Sequence, residues 1–337
     1  MSSRPRNLAT VPASQPATGL ACGDLISIRD LLPAEVCAIL NLTRLMKVRS
    51  ADFSRALAGK QLVLFFEKPS LRTRLTFEAG INSLGGTSFF VDHTRSRIDE
   101  REKLSDIARN LERWVDGVVL RTFDHATVVE MAEHARIPVI NGLSDLEHPC
   151  QALADFFTLE EKFDDLSQVR LAYVGDGNNV AHSLMLVAAC LGSHIRVATP
   201  AGYEPQAEIV ASAMATATAT GGSVEVFTDP VEAATGANAV YTDVWASMGQ
   251  EAEAEKRRRT FMRYQVNEEL MAHADPGAFF MHCLPAHRGE EATDAVIDSP
   301  QSIVFDQAEN RLHVQKAILL LLLGGGMRRS PLRSAHA

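Results

Sequence analysis

Apolar residues along this chain fall into two alternating patterns from about residue 28 onward. Runs of strand length at 61–66, 87–91, 117–120 and 138–141 are separated by helical spacing at 71–84, 103–115 and 130–135, and 151–162 follows as a strong helix. The rhythm restarts with a strand at 169–174, a turn Gly175-Asp176-Gly177-Asn178-Asn179 and a helix at 181–191. Further strands are predicted at 195–198, 224–227, 239–242, 278–281 and 302–305, with a last helix from 310 to about 323. The Ala/Thr run at 211–220 is simple in composition, but alanine favours helix and Gly221-Gly222 would end it. Strands alternating with helices imply mostly parallel sheets covered on both faces. The expected fold class is therefore α/β, with two doubly wound domains hinged near 162–167.

Composition fits that picture and narrows the partners. A length of 337 residues suits two domains, and 46% hydrophobic with 22% charged residues excludes a disordered chain, a collagen and a coiled-coil rod. The net charge, 33 − 42 = −9, offers no footprint for nucleic acid. It leaves room for an anionic substrate, which a local arginine cluster can bind. Cys22, Cys37, Cys150, Cys190 and Cys283 are odd in number, scattered and without a C-x-x-C, so neither a disulfide framework nor a zinc ribbon is expected, and a reducing cytoplasm fits. The most apolar run, 318–323, meets three glycines after six residues, far short of the ~20 that a membrane span needs. Residues 1–24 carry Arg4, Arg6 and no acid before Asp24, as a transit peptide would, but three prolines argue instead for a disordered tail. A second tail is expected at 327–337.

Candidate chemistry begins at Phe66-Glu67-Lys68-Pro69-Ser70-Leu71-Arg72-Thr73-Arg74, a strand passing through a Pro-Ser turn into a helix. A helix start offers unpaired N–H donors and partial positive charge to a phosphate. Ser70 alone could be an N-cap. However, Arg72 and Arg74 in a first turn without an acid oppose the helix dipole, and a bound anion would relieve the conflict. Arg121 at the end of one strand and His148-Pro149-Cys150-Gln151 before a helix fall, like Arg72, at carboxyl ends of strands, where open α/β sheets gather ligands. Gly175-x-Gly177 begins a dinucleotide fingerprint, but Val180 takes the place of the third glycine. Asp243, after another strand, could meet an ammonium or cap a helix. In His282-Cys283-Leu284-Pro285-Ala286-His287-Arg288-Gly289-Glu290-Glu291 the spacing matches no zinc pattern. On a strand, His282 and Cys283 would point opposite ways, so no metal is expected. Cys283 could be a reactive or polarising thiol.

Together and in this order, these motifs resemble the aspartate/ornithine carbamoyltransferase family over about residues 25–325. The 282–291 segment and Asp243-Val244-Trp245-Ala246-Ser247-Met248-Gly249 resemble its ornithine branch, while Ser-x-Arg-Thr-Arg and His-Pro-x-Gln mark the wider family. The resemblance implies a carbamoyl phosphate-binding domain at 25–162, an ornithine-binding domain at 163–310, a helix at 311–326 returning to the first domain, and a homotrimer or assembly of trimers. It implies transfer of a carbamoyl group to the δ-amine of L-ornithine, giving citrulline, in arginine biosynthesis or citrulline breakdown, with no cofactor. Carried over by position, Ser70, Leu71 (through its N–H), Arg72, Thr73, Arg121, His148, Gln151, Cys283, Leu284 and Arg311 hold carbamoyl phosphate. Asn179, Asp243, Ser247 and Met248 hold ornithine, and Cys283, Arg121, His148 and Asp243 act in catalysis.

Two departures stand out. Leu71 replaces a threonine, as in the acylornithine carbamoyltransferases, and Ser96-Arg97-Ile98 replaces Ser-Gln-Ile, so Arg97 could serve a phosphate in a neighbouring subunit's site. An N-acetyl- or N-succinylornithine carbamoyltransferase is the close alternative, although an acylated nitrogen gives Asp243 no charge to pair with. A nucleotide-binding module lacks its third glycine here, and a non-catalytic relative has no reason to keep this set of residues.

Overall fold

The computed structural model describes residues 19–94, 97–246 and 253–325. Its first half contains α1 (Pro33–Val48), β1 (Gln61–Phe66), α2 (Leu71–Ser83), β2 (Thr87–Asp92), α3 (Leu104–Trp114), β3 (Gly117–Arg121), α4 (His125–His134), β4 (Val139–Leu143) and α5 (Pro149–Lys162). The second half contains β5 (Arg170–Val174), α6 (Asn179–Leu191), β6 (His194–Ala198), α7 (Ala207–Thr220), β7 (Ser223–Phe227), α8 (Pro230–Ala234) and β8 (Ala239–Thr242). It continues through α9 (Ala254–Phe261), α10 (Glu268–Met271), β9 (Phe279–His282), α11 (Asp294–Ile297) and α12 (Val304–Leu323).

Both sheets are parallel throughout, with strand orders β2-β1-β3-β4 and β7-β6-β5-β8-β9. A parallel strand covered on both faces reads as a continuous apolar run, and β1 (Gln-Leu-Val-Leu-Phe-Phe) is buried at every position after the first. In each sheet the chain winds one way and then reverses, between β1 and β3 in the first and between β5 and β8 in the second. Such reversals splay the loops beyond the strand ends into a crevice. Register aligns the ends on that side: Phe66 pairs with Asp92 and Arg121, and Thr242 pairs with His282.

Helices α5 and α6 fill the space between the sheets and are buried from Pro149 to Leu159 and from Val180 to Cys190. They join Leu62 and Leu64 of β1 to Leu171 and Tyr173 of β5 in one apolar core, which α1 and α12 complete. Helix α12 packs on α2 at Gly80, where an added Cβ would sit in ordinary contact 3.5 Å from the Lys316 side chain.

The patterning located most strands to within a residue or two, and three expectations change. The apolar run 302–305 is not a strand. Only Ser302 forms an isolated bridge, to Phe280, and the chain enters α12 at Val304, six residues before the predicted start. Four apolar residues cannot distinguish a strand from a helix start by periodicity. Helix α4 also begins earlier than predicted, at His125. Residues 1–18 and 327–337 of the expected tails lie outside the described residues, but the chain is already packed from residue 20. Leu20 and Asp24 are buried, Ala21 N–H donates to Glu35 Oε1 at 2.7 Å, and Val139 N–H donates to Asp24 Oδ1 at 2.7 Å.

Candidate active site

Three guanidinium groups converge at the start of α2. Ser70 is the N-cap, its hydroxyl accepting the Thr73 N–H at 3.2 Å, and the first turn contains no acid. Arg74 leaves the cluster, bonding Glu78 at 3.0 Å and stacking 3.8 Å over Phe90, whereas Arg72 has no carboxylate partner among the described residues. Arg121, the last residue of β3, is buried with its Nε unpartnered. Arg311 reaches in from α12, donating to Gln151 Oε1 and Thr73 Oγ1, each at 2.6 Å, and its Nε is also unpartnered. Burial, then Arg311 and Arg72 nearby, push Arg121 down to about 9. Buried cations without counter-charge are expensive, and an anion among them would relieve that cost.

His148 caps α5 beside these groups. Its buried Nδ1 has no partner, and burial together with Arg311 and Arg121 holds the ring well below its ordinary pKa, so the imidazole is neutral. Across the crevice, Asp243 follows β8 and accepts from Asn178 Nδ2 at 2.9 Å and from Cys283 Sγ at 3.0 Å. Burial and the Asp243 charge raise Cys283 well above the usual thiol range, so it is a neutral S–H donor rather than a nucleophilic thiolate. The next residue, Leu284, has φ 57 and a cis bond to Pro285, and its N–H donates to His282 Nδ1 at 2.8 Å. Left-handed backbone at a leucine is uncommon and concentrates at functional sites.

The loop carrying His148 is held by α6. Asn179 Nδ2 donates to Ser144 O at 2.6 Å, His182 Nδ1 to Leu146 O at 2.8 Å, and His148 N–H to Ser183 Oγ at 2.9 Å. Since His182 Nε2 accepts the Gln206 N–H at 2.9 Å, its proton sits on Nδ1. Glu147 in this loop is fully buried, taking the Ser27 and Ser183 hydroxyls and the Ile28 N–H. Burial pushes its carboxyl up to about 7. An unfolded glutamate titrates near ~4.3, so between these values the native state keeps a proton that the unfolded chain has lost. Stability therefore falls as pH rises across that window and is level above it, a loss on the order of 3 kcal/mol. Glu147→Gln should flatten the difference between urea melts at pH 5 and pH 8. An unchanged difference would mean that Glu147 titrates as an ordinary carboxylate.

The structure thus brings together Ser70, Arg72, Thr73, Arg121, His148, Gln151 and Arg311 on one side, and Asp243, Cys283 and Leu284 on the other. Leu71 exposes its side chain, leaving only its backbone to the site. Asn179 lies at the crevice with its amide N–H2 on Ser144. Ser247 and Met248 lie outside the described residues. Arg97 does not join the cluster in this chain: it pairs with Asp124 and lies 5.4 Å from the Phe123 ring centre. Gly177 serves packing, since a Cβ there would lie 2.3 Å from Pro205 N. The glycine pair therefore needs no dinucleotide to explain it.

His282 and Cys283 do not diverge as adjacent strand residues would. β9 ends at His282, and donor atoms of Asp243, His282 and Cys283 lie within 4.8 Å of one another, already engaged by the contacts above. Sequence reasoning passed over Asn178, which caps α6 and holds Asp243. It also left Lys68 unassigned. Lys68 is buried 4.7 Å from the Phe123 ring centre, its pKa lowered by burial and by Arg121. A lysine in a turn beside arginines was the available signal.

Comparison with known proteins covers both halves of the chain. Residues 23–161 match the family described as aspartate/ornithine carbamoyltransferase, carbamoyl-P binding domain, and residues 167–322 match its Asp/Orn binding domain. An ornithine carbamoyltransferase of Symbiobacterium thermophilum is 56% identical, covering 91% of this chain and 99% of the relative. An anabolic ornithine carbamoyltransferase of Pyrococcus furiosus is 50% identical, covering 91% and 98%. A solved ornithine carbamoyltransferase from Pyrococcus furiosus superimposes with a TM-score of 0.88 at 50% identity, covering 91% of this chain and 99% of its own. A solved N-acetyl-L-ornithine transcarbamylase gives 0.79 at 32% identity, covering 89% and 99%. With both halves of its crevice matched, the chain belongs to the aspartate/ornithine carbamoyltransferase family.

Proposed function

We propose that this protein transfers the carbamoyl group of carbamoyl phosphate to the δ-amine of L-ornithine, giving L-citrulline and phosphate, in the anabolic direction named for the Pyrococcus furiosus relative. The observation that carries the reading is the group Arg72, Arg121 and Arg311, without a carboxylate partner among the described residues and facing Asp243 and Cys283. The phosphate dianion supplies the missing counter-charge at Arg72, Arg121, Arg311 and the α2 N-terminus, with Ser70 and Thr73 as hydroxyl donors. Arg121, neutral His148 and Thr73 polarise the carbonyl and stabilise the oxyanion as it forms. Gln151, Cys283 and Leu284 line the carbamoyl end.

An alkyl amine has a pKa near ~10 and must lose a proton before it attacks. Asp243 pairs with the charged α-ammonium of ornithine and the uncharged Cys283 thiol beside it meets the δ-amine, while Asn179, Ser247 and Met248 complete the acceptor's contacts. The amine nitrogen bonds to the carbamoyl carbon, the carbon–oxygen bond to phosphate breaks, and the amine's proton leaves with the phosphate. Facing the two substrates across one crevice supplies much of the remaining rate.

On this reading residues 25–162 bind the donor, 163–310 the acceptor, and the last helix closes on the donor side. No helix among the described residues is long and apolar enough to cross a membrane, and all five cysteines are free, which supports a cytoplasmic enzyme. The oligomer we propose is a homotrimer or an assembly of trimers. Exposed Leu71 and Leu75 on α2, and Phe89 on the adjoining edge strand β2, are the apolar surface it would cover. Light scattering should give three chains per particle or a multiple of three, and a monodisperse monomer would contradict this.

Acceptor choice tests the substrate. At saturating carbamoyl phosphate, kcat/KM for ornithine should exceed that for N-acetylornithine by at least about 100-fold, the scale of one charge-assisted contact. The reverse preference would overturn the assignment to free ornithine.

A further inference from the structure

Asp155, one turn beyond Gln151 on α5, is fully buried and forms no ion pair among the described residues. Three side chains from three elements donate to it. Gln151 Nε2 and Gln307 Nε2 of α12 both reach Oδ1 at 2.8 Å, and Tyr241 OH of β8 reaches Oδ2 at 3.0 Å. A primary amide has a donor end and an acceptor end, so a carboxylate that binds the donor end decides where the acceptor end points. Gln151 thereby turns Oε1 to Arg311, which donates to it at 2.6 Å and to Thr73 at 2.6 Å. Gln307 turns Oε1 to the His282 N–H at 2.9 Å, immediately before Cys283.

We propose that Asp155 is a positioning residue that sets both glutamine amides, aligning Arg311 on the phosphate side and the His282–Cys283 turn on the acceptor side. The inference rests on the carbamoyl-transfer reading for what the two sides bind. A continuous chain of hydrogen bonds, Thr73–Arg311–Gln151–Asp155–Gln307–His282, joins the two halves of the crevice. Were either amide to flip, its N–H2 would face the donors of Arg311 or the His282 N–H, and a buried donor facing a donor loses its bond outright. Burial raises Asp155 to about 6, which leaves it an ionised acceptor at neutral pH.

Asp155→Leu keeps the branched shape, at a larger volume, and removes the acceptor. It should raise KM for both substrates at least tenfold and weaken phosphate binding, read by calorimetry, by a similar factor. Asp155→Asn should restore both to within about threefold, because its amide oxygen still accepts from both glutamines while its N–H2 meets the Tyr241 oxygen. Gln307→Leu cuts one arm, raising KM for ornithine while leaving phosphate binding, read by calorimetry, within twofold. Kinetics unchanged in Asp155→Leu, or an Asn variant as impaired as the Leu one, would reduce Asp155 to a purely structural role and overturn the proposal. If Asp155→Leu does not fold, Gln307→Leu decides alone, and a loss of phosphate affinity as large as its rise in KM for ornithine, or an unchanged KM for ornithine, overturns it. Phosphate calorimetry needs no turnover, so it tests the Arg311 arm even if the wild type makes no citrulline. That last result would refute carbamoyl transfer, not the role of Asp155.

Discussion

Replacing Arg121 by alanine should lower citrulline formation by about 10²–10³-fold, the scale of one oxyanion donor lost from a desolvated site. Arg121 is buried at the end of β3, with Arg72 and Arg311 nearby and its Nε unsatisfied. No described carboxylate depends on it, so deleting it breaks no ion pair. It removes one of three mutually repelling cations, and the unliganded protein should melt within a few degrees of the wild type. Ligand-linked stability should change instead. For the wild type, phosphate at a hundred times its dissociation constant adds about 2.7 kcal/mol. The matching rise in Tm should shrink sharply in Arg121→Ala. Near-normal turnover with an intact phosphate shift would remove Arg121 from the site.

Asp243→Asn should give the complementary result. The substitution keeps the shape of the side chain that holds Asn178 and Cys283 but removes its charge. Steady-state kinetics should show kcat/KM for ornithine falling by about 10²–10³-fold, as for truncation of one partner in a charge-assisted contact. The phosphate-induced rise in Tm should survive unchanged, because Asp243 lies outside the arginine cluster. A variant that lost phosphate binding as well would show that the crevice is not divided as described.

How much of this could be read from the chain follows from which interactions are local. The strands of both sheets were legible because a doubly covered parallel strand announces itself as an apolar run. The arginine cluster was legible in part because Arg72 and Arg74 without an acid contradict the helix that Ser70 starts. The segment 302–305 was not legible, since four apolar residues fit either a bridge or a helix start, and the α12 packing decides. Asp155 was equally hidden, because its partner Gln307 lies 152 residues away and neither residue type signals a site alone. Gly177 resembled a nucleotide motif until the turn at 203–205 supplied a packing reason. His282 and Cys283 diverge only if the strand continues through them, and it ends between them.

The central claim is that one crevice holds a phosphate donor on its arginines and a free amino-acid acceptor at Asp243 and Cys283. Carbamoyl phosphate labelled with ¹³C at the carbonyl, incubated with ornithine and followed by NMR, tests it most directly. The label should move into the ureido carbon of citrulline, with one phosphate released per citrulline and no label passing to N-acetylornithine in its place. Phosphate release with the label recovered as carbamate or bicarbonate, or transfer to the acetylated acceptor alone, would contradict it.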